Sequence, residues 1–233
     1  MRNLEDLREG AALLNLDLSI EIEKKFMLYS QGLAYWNRQF NLTSQKALDE
    51  IATVHFLDSL TLIPTIKREM PRAIHFVDVG SGAGFPSVPI KLFMPQMQLK
   101  LIEVTRKKSN FLDWLIAELG LEGVEILPER AEILGHNRNY REKFDIALAR
   151  ALGPLATVLE LTLPFCRIGG LVITPRGETS QSDLVHSSPV AQTLGGLLKG
   201  PESVTLPALK GSRTILVAEK QVHTAAQYPR RTG

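Results

Sequence analysis

Six large apolar residues, Ile22, Phe26, Tyr29, Leu33, Trp36 and Phe40, recur at steps of four and three and so line one face of a helix. Ser19 stands where an N-cap belongs, and Asn41 with Thr43-Ser44 marks the end of the helix. The run from His55 to Leu60 falls in a further helix closing before Pro64. The first seventy residues therefore read as a helical extension, with the aromatic stripe as core rather than a base-stacking platform. From Ile74 the pattern changes. Apolar runs near 74–79, 98–103, 123–127, 144–149 and 170–174 read as strands with helices between them. One such helix starts at Arg106, buries Phe111, Leu112, Leu115, Ile116 and Leu119, and stops at Gly120. Another starts at Pro154, and Cys166 is expected at its end, before the fifth strand. Residues 178–200, rich in Ser and Gly, have the weakest pattern, and an alternating segment from Thr214 to Ala218 completes the sheet. Strand and helix in alternation predict an α/β fold with a mostly parallel, doubly wound sheet and the ligand at the carboxyl ends of its strands. The organisation expected is a helical extension over 1–70, a Rossmann-like domain over 71–220, and a basic, flexible tail over 221–233.

Residues 76–86 read FVDVGSGAGFP: a buried strand carrying one acid, Asp78, and then a glycine-rich turn. Glycines there permit positive φ and let a ligand lie against bare backbone, while the next helix offers its unpaired N–H groups. A dinucleotide fingerprint needs G-x-G-x-x-G. Here Gly80 and Gly82 fill the first two slots, Phe85 stands in the third, and the extra glycine is Gly84. Glu103, 23 residues beyond Gly80 at the end of the second strand, is placed to accept ribose hydroxyls. Nicotinamide and adenosylmethionine enzymes both use such a carboxylate. The G-x-G-x-G form, with Asp78 two residues ahead of it, leans towards S-adenosylmethionine.

Composition narrows the class. At 233 residues the chain holds one α/β domain and a helical extension. It has one cysteine, Cys166, and so no intrachain disulfide, and its five histidines are too scattered for a metal triad. No apolar stretch is long enough to span a membrane, and acids stand where a signal peptide would be apolar. The expectation is a cytoplasmic monomer with no bound metal. The net charge of +2 divides into −2 over the first seventy residues and +4 over the rest, where Arg106-Lys107-Lys108 and Lys220 with Arg230-Arg231 are the basic clusters.

The carboxyl ends of the strands present Gly80, Gly82, Glu103-Val104-Thr105, Ala131-Glu132 and Arg150. Ala131-Glu132 is placed to hold an adenine ring, and Arg150 to face a methyl acceptor. After the fourth strand the chain reads ALARALGP, without the Asn-Pro-Pro-aromatic run of enzymes that methylate exocyclic amines. Cys166 is not in a nucleophile loop, so cysteine attack on pyrimidine carbon is not expected.

Residues 36–43 (WNRQFNLT), 55–59 (HFLDS), 77–86 (VDVGSGAGFP), 106–112 (RKKSNFL), 130–132 (RAE) and Arg150-Ala151 follow one another in an order that resembles the bacterial small-subunit rRNA guanine-N7 methyltransferase family, once called glucose-inhibited division protein B. The resemblance runs from about residue 30 to 219. It implies a class I, Rossmann-like, S-adenosylmethionine-dependent enzyme with an N-terminal helical cap, acting on one guanine of 16S rRNA in the small ribosomal subunit. Carried over motif by motif, cofactor contacts fall on Gly80, Gly82, Phe85, Glu103, Val104, Thr105, Ala131, Glu132 and Arg150. RNA-side groups fall on His55, Lys107, Arg176 and Arg213, with Asp58 and Arg150 as the catalytic pair and Asp58 offsetting positive charge on the purine. The chain departs from the family's pattern at Val54, Arg176 and Thr214, on the RNA side. The rivals are methylation of another RNA base or a small molecule, and a non-catalytic ribosome-binding protein that retains a nucleoside pocket.

Overall fold

The strand His75–Val79 (β1) is buried along all but its first residue because it lies between two parallel neighbours. It is one of five parallel strands in the eight-stranded sheet of a computed structural model that describes residues 4–177, 181–209, 211 and 213–231. On one side of β1 come β2 (Gln98–Ile102) and β3 (Val124–Leu127), and on the other β4 (Phe144–Leu148) and β5 (Cys166–Arg176), all parallel. Val77 sits opposite Lys100 of β2 and Ala147 of β4. Strands covered on both faces are continuous apolar runs, which is why the central ones were readable without alternation. The direction of winding reverses between β1 and β4, and the carboxyl ends at that switch point form a crevice.

The far edge is antiparallel. Gly196–Leu198 (β6) and Glu202–Val204 (β7) both pair with Arg213–Lys220 (β8), which pairs with β5. Cys166 opens β5 rather than ending a helix, fully buried with its thiol on the carbonyls of Thr162 and Leu171. The segment of weak pattern contains a helix over Gln181–Thr193 as well as β6.

Alternate residues of β1 feed two cores. Val77 and Val79 join Ala147, Val172, Leu155 and Leu159 on one face. Phe76 joins Leu99, Phe111 and Ile146 on the other, and the same cluster takes in Leu7, Phe26, Tyr29, Leu33 and Phe56 from the N-terminal helices. Those helices are α1 (Leu4–Leu13) and α2 (Ile20–Asn37), with the Ser19 hydroxyl accepting from the Ile22 N–H as its cap, then α3 (Gln45–Asp49). A π-helical turn over Ala52–Leu57 runs into α4 (Asp58–Leu60), and α5 (Leu62–Glu69) follows. Helices α6 (Ser87–Phe93) and α7 (Arg106–Glu118) cover this face, and α8 (Ala131–Leu134) and α9 (Leu155–Thr162) follow β3 and β4.

The tail folds back on the domain as far as Arg230, with most of its residues exposed. Arg141 donates to the carbonyls of Thr224, Ala225 and Tyr228, and Arg230 pairs with Glu160. The tail has no apolar run of its own. Its partners are charged groups some seventy to ninety residues earlier that grip its backbone.

Candidate functional site

Gly80, Gly82 and Gly84 have φ of 72°, 57° and 92°, a region where side chains are strained. The loop turns back over β2, with the N–H groups of Gly80 and Ser81 donating to the Ile102 carbonyl at 2.9 and 3.0 Å. A Cβ at Gly84 would lie 2.7 Å from the Tyr29 hydroxyl, whereas the nearest atom to one at Gly82 is 3.8 Å away. Gly84 is thus a packing glycine, and Gly82 leaves open space for something else. From beneath, the Tyr29 phenol donates to the Ala83 carbonyl; burial holds that phenol well above its ordinary pKa, so it stays a donor.

Glu103 is the anchor of the crevice. It is 5% exposed, yet its two carboxylate oxygens accept from Gly82 N–H at 2.9 Å and Thr105 N–H at 2.7 Å. The carboxylate therefore fixes the glycine loop against the start of α7, with further lone pairs available. Around it lies a cavity of about 380 Å³, whose walls include Gly80, Gly82, Glu103, Val104, Thr105, Ala131 and Glu132. Val104 is 55% exposed, an apolar residue offered to a ligand. Ala151, in the wall past β4, has φ of 56°, in the left-handed region that disfavours a residue with a Cβ. Bare backbone, a buried carboxylate and an exposed apolar wall fit a nucleoside cofactor.

Beside the crevice is a buried network. Asp58 Oδ2 accepts from Arg150 Nη1 at 3.0 Å and Oδ1 from Arg213 Nε at 2.5 Å. Arg150 also donates to the Val54 carbonyl at 3.2 Å and to His55 Nδ1 at 2.5 Å. Arginine cannot accept, so Nδ1 of His55 is the bare nitrogen and Nε2 carries the proton, donated to Thr43 Oγ1 at 2.8 Å. Burial first, and then the charge of Arg150, push the imidazole down to about 3, so it is neutral. Its ring stacks on Phe85 at 4.4 Å between centroids, Tyr29 stacks on Phe85 at 5.2 Å, and the Arg150 guanidinium lies 5.0 Å from the same ring. With His55 neutral, Asp58 sits between two guanidinium groups.

This geometry revises several sequence expectations. Phe85 is not in the cavity wall; it is 5% exposed and holds the aromatic stack. Arg150 also lies outside that wall, in the network behind it. Both ring nitrogens of His55 are engaged within the protein. The carboxylate of Asp58 is held by two arginines. Arg213 turns its Nε to Asp58. Arg176, at the end of β5, donates to the Gly153 carbonyl at 2.7 Å, and Lys107 is exposed on α7 while its neighbour Lys108 lines the cavity. Sequence reasoning missed Lys108, Leu152 and Leu161 in the wall, and Thr43 behind His55. The basic run at 106–108 carried a signal for Lys108, and the run 36–43 ended on Thr43.

Asp78 sits under the loop with no exposure. Its Oδ2 accepts from Ser87 Oγ at 2.5 Å, while Oδ1 has no partner. Burial pushes this carboxyl up to about 7, opposed by Ser87 and Arg150 and reinforced by Glu103. The folded-state value lies above the unfolded one near 3.9, so the folded protein keeps a proton that the unfolded chain has lost. This group therefore makes stability fall as pH rises from about 4 to about 7, by at most about 1.4 kcal/mol per unit, and adds no slope above that. Asp78→Asn is expected to remove the slope. Urea denaturation at pH 5 and pH 8 measures it, and an unchanged difference between wild type and variant would contradict the assignment.

Among the described residues no cluster of side chains could hold a metal ion, and no helix is long and apolar enough to cross a membrane. Solved structures share the architecture at low identity. The antibiotic-resistance methyltransferase Kmr aligns with TM-score 0.53 at 15% identity, over 68% of this chain and 92% of its own. M. jannaschii TYW2 in complex with AdoMet aligns with TM-score 0.50 at 15% identity, over 69% and 76%. The fold is that of the class I S-adenosylmethionine-dependent methyltransferases. Sequence comparison is more specific. The model of the family GidB, rRNA small subunit methyltransferase G, matches residues 22–206. A ribosomal RNA small subunit methyltransferase G of Dictyoglomus thermophilum is 41% identical over 97% of this chain and 93% of its own length. One of Dehalococcoides mccartyi (strain BAV1) is 38% identical over 99% and 97%. The chain belongs to the rRNA small subunit methyltransferase G family.

Proposed function

We propose that this chain transfers a methyl group from S-adenosylmethionine to N7 of one guanine in 16S rRNA, acting as a monomer in the cytoplasm on the small ribosomal subunit or its RNA. The reading is carried by one observation: the span matching the family, 22–206, contains both the glycine-loop cavity and the Asp58–Arg150–His55 network beside it. When bound, S-adenosylmethionine supplies an electrophilic methyl group on a sulfonium. Glu103 accepts the ribose hydroxyls, Val104, Ala131 and Glu132 flank the adenine, and Gly80 and Gly82 offer bare backbone.

Guanine N7 has a lone pair and no proton, so no side chain has to act as a base. Alignment and exclusion of water carry the step, an effect on the order of 7–11 kcal/mol. The network contributes position and charge. Asp58 holds two guanidinium groups in place, and Arg150 directs its remaining N–H groups to phosphate and guanine O6, leaving N7 to react. Lys107 and Arg176 serve phosphates, which makes binding fall steeply with salt. The target base is unstacked or already in a loop.

The test is transfer from labelled S-adenosylmethionine to small subunits from cells lacking this protein, followed by mapping of the modified base. Label on N7 of a single 16S guanine is expected. Cofactor binding with no label on RNA would overturn the substrate and favour the binding-protein rival.

A further inference from the structure

The chain after β8 returns to the two helices that help wall the cavity. Arg141 is the hub of that return. Its Nη1 donates to the carbonyls of Gly135 (2.7 Å) and Tyr228 (2.8 Å), and its Nη2 to those of Thr224 (2.6 Å) and Ala225 (3.2 Å). Gly135 is the C-cap of α8, the helix that places Ala131 and Glu132 in the cavity wall. Pro229 presses on the same point: a Cβ at Gly135 would lie 2.8 Å from its ring, and its carbonyl accepts from His136 Nε2 at 2.8 Å. One residue further, Arg230 grips Glu160 of α9 through Nε at 2.9 Å, Nη2 at 2.6 Å and its backbone N–H at 2.8 Å. Leu161, next to Glu160, lines the cavity.

Helix α8 has four residues. One turn cannot hold itself, because nucleation costs more than a single turn of hydrogen bonds returns. The carbonyls of Ala131, Ile133 and Leu134 accept from the N–H groups of Gly135, His136 and Asn137, and Arg141 takes the next carbonyl, that of the C-cap Gly135, so the end of α8 is tied to the side chain that also grips the tail. We propose that Arg141 and the segment 221–231 form a positioning strap that holds α8 against α9 and so presets the wall around the adenosine end of the cofactor. This rests on the cavity being the S-adenosylmethionine site.

The test uses the full chain and two probes that share adenosine, S-adenosylhomocysteine and 5′-methylthioadenosine, titrated calorimetrically into wild type, Arg141→Ala and Arg230→Ala. Both probes are expected to weaken by the same factor, roughly tenfold if the ordered wall falls to about a tenth of the population. KM for the cofactor should rise with kcat at saturation unchanged, a split that general loss of folded protein does not produce. Affinities within twofold of wild type in both variants would overturn the strap. So would weakening of S-adenosylhomocysteine with 5′-methylthioadenosine untouched, which places the effect at the methionine end. If Arg141→Ala does not fold, Arg230→Ala decides, since that side chain is 75% exposed. Wild type that binds neither probe would instead overturn the cofactor site itself.

Discussion

Glu103→Ala is expected to weaken binding of S-adenosylmethionine roughly a hundredfold while leaving the protein folded. The carboxylate does two jobs at once. It accepts the N–H groups of Gly82 and Thr105, which hold the glycine loop and the start of α7 at one spacing. In the proposed function its remaining lone pairs would take the ribose hydroxyls. Hydrogen bonds to a charged acceptor contribute about 1.5–3 kcal/mol each, so loss of the ribose contact and of loop order amounts to about two powers of ten in affinity. Glu103→Gln should lie close to alanine, because its amide nitrogen turns a donor towards one of two backbone donors. Calorimetric titration with S-adenosylhomocysteine measures the loss, and an affinity within threefold of wild type would remove Glu103 from the cofactor site.

The second large effect is on the network. Arg150→Ala leaves His55 Nδ1 without a donor, removes the cation from the face of Phe85 and leaves Asp58 to Arg213 alone. The side chains of Arg150 and Asp58 are 15% and 8% exposed, so the pair is largely out of water. Breaking a pair of this kind costs about 3 kcal/mol, at the lower end of the range because Arg213 still neutralises Asp58. Methyl transfer at saturating cofactor should fall roughly a hundredfold or more, the usual loss when one preorganised donor leaves a site. Lysine cannot substitute, because one ammonium cannot reproduce the fork that serves Asp58, His55 and the Val54 carbonyl together. Asp58→Asn should act in the same direction by leaving two guanidinium groups beside a neutral amide. Guanidinium denaturation and single-turnover transfer to RNA separate the two consequences. Normal turnover in a folded Asp58→Asn would show that the carboxylate neither holds the arginines nor acts on the substrate.

The cavity beside the glycine loop was largely legible in the sequence because its parts are local. Gly80, Gly82 and Glu103 lie at strand ends fixed by apolar runs, and the period of a strand sets where such an end falls. Ala131-Glu132, just past the third strand, was readable for the same reason. The network beside the cavity was less legible. His55, Asp58, Arg150 and Arg213 were each singled out, but not that they meet one another. Nothing in a local window shows that Asp58 meets Arg150 and Arg213, 92 and 155 residues away. The same limit applies to Phe85. Its neighbour in sequence is the glycine loop, but its neighbours in space are Tyr29 and His55 from the N-terminal helices.

By itself, then, the sequence determined the order of strands and helices, the turn only glycines can make, and the carboxylate beyond it. These follow from backbone conformation and side-chain period within a few residues. The tertiary structure alone decided which charges meet one another, that Phe85 packs between Tyr29 and His55, and that the basic tail lies against α8 and α9. Those outcomes depend on packing between elements distant in the chain, where a buried charge or an open carbonyl takes whatever partner the fold brings within hydrogen-bond reach.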